Sequence, residues 1–192
     1  MNLLTFLNFQ INHLLPQMVL TILMWNDTDI PLAYLITFRC YGTWLHGDER
    51  GSVNRFRNQY KSSRLPPENK WLETNTQRLK GKIVTLDAAQ RDSVEKAIRE
   101  TCEIRGWRLQ AINVRTNHVH SVVSIGAKKP SIALNAFKAN ATRKMREDGY
   151  WQSETSPWSD KGSKRYLWNE RSVALAIDYV INGQGDELPD FD

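Results

Sequence analysis

A short stretch from Asn117 to Ile125, with the sequence NHVHSVVSI, constrains the fold of this chain more than any other. Its apolar, β-branched character predicts a strand. Because side chains two positions apart leave a strand on the same face, His118 and His120 should present two imidazoles side by side. Neutral imidazole is a common metal ligand. The pair therefore predicts a metal site, unless one histidine only ends the strand and the other is an ordinary surface or core residue.

The rest of the chain alternates between strand-like and helix-like patterns. A first strand is predicted from Leu32 to Trp44, and the clearest helix runs from Asp87 to Arg105, with Asp87 and Gln90 at capping-box spacing. The remaining predicted elements are strands over 107–114 and 118–125, a helix over 131–147, a loop and short strand within 151–168, and a helix over 172–182. This order favours an α+β fold with an antiparallel sheet and helices packed on it.

Charge and aromatic residues point towards a polyanionic partner. The formal net charge is +5, which favours such a partner only modestly. Residues 47–82 interleave many Lys and Arg residues with Phe56, Tyr60 and Trp71, and Pro66-Pro67 breaks any long helix there. This composition suits a loop that binds single-stranded nucleic acid, and it equally suits a solvated insertion.

The predicted domain covers residues 31–186, with a dispensable extension over 1–30 and a tail over 187–192. The apolar patches between Met1 and Trp25 are interrupted by polar residues and lack a basic leader, which argues against a signal peptide and a membrane helix. An amphipathic helix packed on the domain is the alternative. Cys40 and Cys102 lie far apart, as expected of reduced intracellular thiols.

Two imidazoles alone would not hold a catalytic metal well, so a third protein ligand is expected. An oxygen ligand beside two histidines would suit Mg²⁺ or Mn²⁺ acting on a phosphate. Ser121 falls on the opposite face of its strand, whereas Tyr179, on the last helix, is a candidate nucleophile if its phenolate is favoured. From the pattern alone, Tyr179 is also compatible with an ordinary core or surface role.

Four further residues are candidates for contact with nucleic acid. Lys138 and Arg143 lie on the basic side of the helix over 131–147, and Arg165 and Trp168 lie in the later basic and aromatic stretch. The alternative for the helix is a solvated charged face.

Taken together, these motifs resemble a known family. The NHVH strand, the basic helix, the Trp-rich stretch and the DYV helix, between Leu32 and Gln184, resemble the single-tyrosine HUH endonuclease transposases. Within these, the chain is similar to the REP-associated tyrosine transposases and to the TnpA-type transposases of small insertion sequences. The resemblance implies a ferredoxin-like HUH endonuclease fold in a prokaryotic-type, nucleoid-associated cytoplasmic protein, monomeric or homodimeric, with no membrane partner.

The resemblance also implies roles for particular residues. His118 and His120 would bind Mg²⁺ or Mn²⁺, and Tyr179 would attack single-stranded DNA next to a hairpin or palindromic repeat, leaving a 5′-phosphotyrosine and a free 3′-hydroxyl. The family often has Asn or Gln four residues after the tyrosine, where this chain has Gly183. We therefore expect Gln184 to complete the metal site, with Asn182 as the alternative.

Two other functions stay open at this point. One is a hydrolytic metal nuclease in which water attacks and Tyr179 only packs. The other is a non-catalytic nucleic-acid-binding domain on the same fold, which the glycine at position 183 favours.

Overall fold

The structure, a computed structural model, describes residues 29–52 and 63–183. Its strands and helices follow one another along the chain in the order β1 Ala33–Cys40, α1 Asn69–Gln77, α2 Ala88–Ile104, β2 Arg108–Val114, β3 His118–Ser124, α3 Pro130–Glu147, β4 Trp158–Leu167 and α4 Glu170–Ile181. Residues 1–28, 53–62 and 184–192 lie outside the described residues. They include most of the predicted extension over 1–30, part of the basic segment and all of the predicted tail over 187–192.

The four strands form one antiparallel sheet in the order β2-β3-β1-β4. Helix α2 connects β1 to β2, a tight turn connects β2 to β3, and α3 connects β3 to β4. This βαββαβ connectivity and strand order are those of a ferredoxin-like fold, which confirms the predicted α+β class. Helix α1 lies in the connection before α2, and α4 follows the last strand.

The sheet carries helices on both faces. Helices α2 and α3 cover one face, where Phe38 and Val119 pack against Ile98 and Phe137 in the larger apolar cluster. Helix α4 covers the other face through a smaller cluster, formed by Ala33, Leu35, Ala111, Val122, Leu167, Ala176, Tyr179 and Val180. Because side chains alternate along a strand, each strand supplies both clusters.

Helix boundaries follow the local sequence closely. The side chain of Asp87 accepts a hydrogen bond from the backbone of Gln90, and the Gln90 side chain caps Asp87 in return, so the predicted capping box is present. Gly106 adopts a φ of 62° directly after α2, a conformation that favours glycine at the end of a helix. Pro130 occupies the first turn of α3, where its missing N–H carries no cost.

Two details differ from the sequence-based expectations. Helix α1 forms directly after Pro66-Pro67, in a segment expected to be loop. Strand β4 has 10 residues and is not short. None of the helices within the described ranges combines the length and apolar composition needed to cross a membrane.

Candidate active site

His118 and His120 lie side by side at the start of β3, on the face of the sheet that α4 covers. Their ring centroids are 4.6 Å apart and the ring planes meet at 82°. Ser121, the residue that follows His120 in β3, points to the opposite face of the sheet and is 0% exposed. The structure thus brings the two imidazoles together as the strand pattern predicted.

Each imidazole is held through its Nδ1 atom. The Nδ1 atom of His118 lies 2.6 Å from Oδ1 of Asn117, which can only accept, so Nδ1–H donates. The Nδ1 atom of His120 lies 2.7 Å from Oγ1 of Thr37, the residue directly opposite it on β1. When both Nδ1 atoms carry the proton, the Nε2 lone pairs are available to a ligand, and both ring orientations are fixed.

Burial keeps His120 neutral. Its side chain is only 8% exposed, and burial, followed by repulsion from His118 when that residue is protonated and from Arg39 and Arg115, lowers the pKa of His120 to about 3. Near neutral pH the imidazole therefore carries no charge, and the neutral form is the one that binds metal ions.

Helix α4 brings Tyr179 to the same place. A capping box between Asn169 and Ser172 begins the helix, and Ala176 and Val180 pack against the sheet. The ring of Tyr179, 9% exposed, lies with its centroid 5.5 Å from that of His120, at an interplanar angle of 88°. A phenol from the last helix and an imidazole from an inner strand are therefore in contact.

The end of α4 is tied to the sheet and closely packed. Nδ2 of Asn113 on β2 donates to the carbonyl oxygen of Val180 at 3.0 Å. The backbone N–H of Gly183 donates to the carbonyl oxygen of Tyr179 at 3.1 Å. A Cβ atom at Gly183 would lie 3.2 Å from both Cα and Cδ2 of Tyr179. The glycine thus lets the backbone pass directly beside the Tyr179 ring.

The two expected alternatives for a third ligand have different outcomes. The Asn182 amide donates to Oδ1 of Asp178 at 2.8 Å, and both residues are exposed. Gln184 lies outside the described residues, so its role as a ligand stays a prediction.

The donor set fits a divalent cation. Two imidazoles with fixed orientations can supply nitrogen ligands, while across residues 29–52 and 63–183 no group of three His, Cys, Asp or Glu side chains could hold an ion. Mg²⁺ and Mn²⁺ accept few protein ligands and fill the remaining positions with water and phosphate oxygens. His118 and His120 are therefore the residues that would hold such an ion.

The four candidate nucleic-acid contacts divide between the two faces of the sheet. On α3, opposite the histidines, Nζ of Lys138 donates to the carbonyl oxygens of Ser159, Asp160 and Lys161. This arrangement gives Lys138 a role within the fold. Arg143 is exposed, with Glu147 3.6 Å away. For both residues, contact with nucleic acid stays a prediction.

The two candidates at the end of β4 lie on different faces of the sheet, because Tyr166, on which Trp168 stacks, pairs with Tyr34 of the α2 and α3 face. Arg165 pairs in register with Leu35, whose side chain is on the α4 face. Trp168, 48% exposed, stacks on Tyr166 with centroids 5.8 Å apart at 16°. These flat, accessible rings offer a surface on which a base could stack.

Sequence reasoning missed Thr37, Arg39 and Asn113, which surround the histidines from the neighbouring strands. A weak signal was present, because Thr37 and Arg39 alternate with apolar residues in β1 and so mark one polar face. Which histidine each residue meets depends on strand register, and no local pattern specifies that.

Comparisons of the sequence and the structure with known proteins identify a family. The sequence profile of the family described as "Transposase IS200 like" matches residues 77–179, more than half of the 192-residue chain. A crystal structure of a protein assigned as a transposase from Deinococcus radiodurans R1 is similar, with 14% identity and a TM-score of 0.40, over 85% of this chain and 98% of that chain. No curated protein matches the sequence significantly. The family match spans both histidines and ends at Tyr179, and the chain belongs to the IS200-like transposase family.

Proposed function

We propose that this transposase is a metal-dependent single-stranded DNA endonuclease and strand transferase that uses Tyr179 as its nucleophile. The observation that carries the proposal is the contact between the rings of Tyr179 and His120, with His118 beside them. A nucleophile and two ligands for a divalent ion are the parts that phosphodiester cleavage through a covalent intermediate requires.

The proposed reaction exchanges one phosphoester bond for another. The Tyr179 oxygen attacks the phosphorus, the bond from phosphorus to the 3′-oxygen breaks, the phenolic proton passes to solvent, and the 3′-oxygen leaves as a hydroxyl. Bound Mg²⁺ or Mn²⁺ would polarise the phosphoryl group and offset charge on the leaving oxygen. The 5′-phosphate stays on Tyr179, so a second 3′-hydroxyl can attack it, release the tyrosine and join two strands.

Side chains on both faces of the sheet favour a single strand as substrate. Bases of a single strand can stack on accessible aromatic rings such as those of Tyr166 and Trp168, on the face opposite the histidines. Arg165, on the same face as the histidines, can contact its phosphates. We propose a substrate next to a hairpin or palindromic repeat, bound by a monomer or homodimer at the nucleoid in the cytoplasm.

A covalent-capture experiment tests the proposal. Single-stranded oligonucleotides that copy the palindromes flanking the gene are incubated with the protein and Mn²⁺, and a denaturing gel is examined for a protein–DNA band. We expect the band with the parent protein, and we expect it to be lost in Tyr179→Phe or on adding EDTA. Tyr150→Phe is the matched control, because Tyr150 is exposed and lies after α3, away from the histidines.

Other outcomes overturn the proposal in distinguishable ways. A band that persists undiminished in Tyr179→Phe excludes this nucleophile. Free 5′-phosphate ends without any band identify a hydrolytic nuclease. Binding that is unchanged in EDTA, with no cleavage of any palindrome, identifies a non-catalytic domain.

A further inference from the structure

Arg39 lies beside the candidate active site. It is directly opposite His118 in the β1–β3 register, so its side chain leaves the sheet on the face that carries His118, His120 and Tyr179. Arg39 also interacts electrostatically with Tyr179, whose negative charge when ionised raises the pKa of Arg39. The guanidinium is therefore close to both the proposed nucleophile and a proposed metal ligand.

Trp44 holds the Arg39 guanidinium in place. The Cζ atom of Arg39 lies 3.1 Å from the centroid of the Trp44 ring, and Nε1 of Trp44 donates to the carbonyl oxygen of Gly51 at 2.7 Å. Stacking occupies a face of the planar guanidinium and leaves its rim of N–H donors available. Such a rim matches the spacing of two oxygens on a phosphate.

Two more arginines lie over the same ring, but they are engaged elsewhere. Arg50 has its Cζ 4.7 Å from the Trp44 centroid and binds both carboxylate oxygens of Asp48, each at 2.6 Å. Arg64, at 5.5 Å, donates to the carbonyl oxygen of Arg50. In contrast, within the described part of the chain no carboxylate lies within ion-pair distance of Arg39, and its guanidinium makes no hydrogen bond.

The charge of Arg39 is thus poorly compensated. Burial, followed by repulsion from Arg50 and Arg64, lowers the pKa of Arg39 to about 9, although Asp48 acts in the opposite direction. The group is still a cation at neutral pH. An anion placed between Arg39 and His118 would relieve this repulsion, because charge-assisted hydrogen bonds are strong where the surroundings exclude water.

We infer that Arg39 binds the phosphodiester that Tyr179 attacks, and that Trp44 positions the Arg39 guanidinium for this contact. The inference rests on the proposed function, since it identifies the phosphate of single-stranded DNA as the anion. Arg39 would contact two non-bridging oxygens from the side of β1, while His118 and His120 lie on β3.

A scan with neutral linkages tests the contact without requiring cleavage. Each oligonucleotide from the palindrome set carries one methylphosphonate, which removes the charge of a single phosphate, at successive positions. Dissociation constants are measured for Tyr179→Phe and for Tyr179→Phe with Arg39→Gln. We expect Arg39→Gln to weaken binding of the unmodified DNA by about tenfold. The difference in dissociation constant between the two variants should vanish when the methylphosphonate replaces one particular phosphate. That phosphate should be the one at the bond that the parent protein cleaves.

Controls separate contact with the phosphate from a structural role. Arg99→Gln removes an exposed cation of α2 that pairs with Glu95, and it should show no position-dependent effect. Arg39→Lys should restore part of the affinity, because it keeps the charge and loses the planar fork. Trp44→Leu should reproduce part of the Arg39→Gln penalty at the same position, whereas Trp44→Phe, which keeps an aromatic face, should lose less.

Three results would overturn the inference. These are an equal penalty at every methylphosphonate position, the absence of any penalty, and a penalty that vanishes at a bond other than the cleaved one. Failure of the proposed function gives a different pattern, in which the parent protein forms no covalent band while the scan still locates a phosphate bound by Arg39.

Discussion

The ring of Tyr179 meets the imidazole of His120 edge to face, with centroids 5.5 Å apart and planes at 88°. The two residues are far apart in sequence and come together because β3 lies inside the sheet and α4 packs across it. Each residue also has a close neighbour. Thr37 makes a hydrogen bond to Nδ1 of His120, and the backbone of Gly183 packs against the ring of Tyr179. Changes at these neighbours therefore test the arrangement without removing the proposed reacting groups.

Thr37→Val should weaken metal binding. Valine has a similar shape but lacks the oxygen that lies 2.7 Å from Nδ1 of His120, so the imidazole loses its fixed orientation and tautomer. Loss of such a partner lowers metal affinity by about 10- to 100-fold. Titration of the protein with Mn²⁺, followed by electron paramagnetic resonance, measures the change. Thr37→Ser keeps the oxygen and should bind nearly as the parent does, and equal affinity for the valine variant would contradict the assigned role.

His120 should make the metal-free protein less stable as the pH falls. Its pKa is lowered from 6.5 to about 3 on folding, so the unfolded chain takes up a proton that the folded chain excludes. The stabilisation is complete above pH 6.5 and is lost progressively towards pH 3. Between pH 7 and pH 5 the free energy of unfolding should fall by about 2 kcal/mol from this group.

Urea unfolding in EDTA, for the parent and for His120→Asn, isolates that contribution from the other titrating groups. The parent should lose more stability than the variant over this interval. Parallel pH profiles for the two proteins would mean that His120 is protonated as easily in the folded state as in the unfolded one.

Gly183→Ala should slow formation of the covalent adduct more than it destabilises the fold. The added Cβ would lie 3.2 Å from Cδ2 of Tyr179, close enough to displace the ring, and small displacements of a reacting group are costly. We expect about a tenfold lower rate of adduct formation with little change in the melting temperature. Ile181→Ala, which changes a residue that is 57% exposed in the same helix turn, serves as the control. An unchanged rate in Gly183→Ala would show that the ring tolerates the contact.

Local patterns predicted the features that depend on adjacent residues. The spacing of His118 and His120 predicted that both lie on one face, because alternation along a strand is a local property. The capping box of Asp87 and Gln90 likewise depends on one helix turn. The fold class followed from the order of such elements, which the sheet confirms.

Features that depend on distant neighbours were not predictable in the same way. Thr37 reaches His120, and Arg39 lies opposite His118, only through the β1–β3 register. The length of strand β4 was underestimated because β4 is an edge strand whose middle, from Ser159 to Lys164, is mostly polar and lacks apolar alternation. Contact of Tyr179 with His120 requires α4 to pack on the sheet, which the pattern of α4 alone does not specify.

Identification of the modified residue tests the central claim most directly. Residues 172–192 contain no Lys or Arg, and Tyr179 is their one tyrosine, so the tryptic peptide that begins at Ser172 reports on Tyr179. The protein–DNA band formed with Mn²⁺ is digested with nuclease and trypsin, and the peptides are analysed by mass spectrometry. We predict that this peptide carries the mass of a phosphorylated nucleotide on Tyr179. A band in which this peptide is unmodified, or in which the nucleotide lies on another residue, would contradict the account.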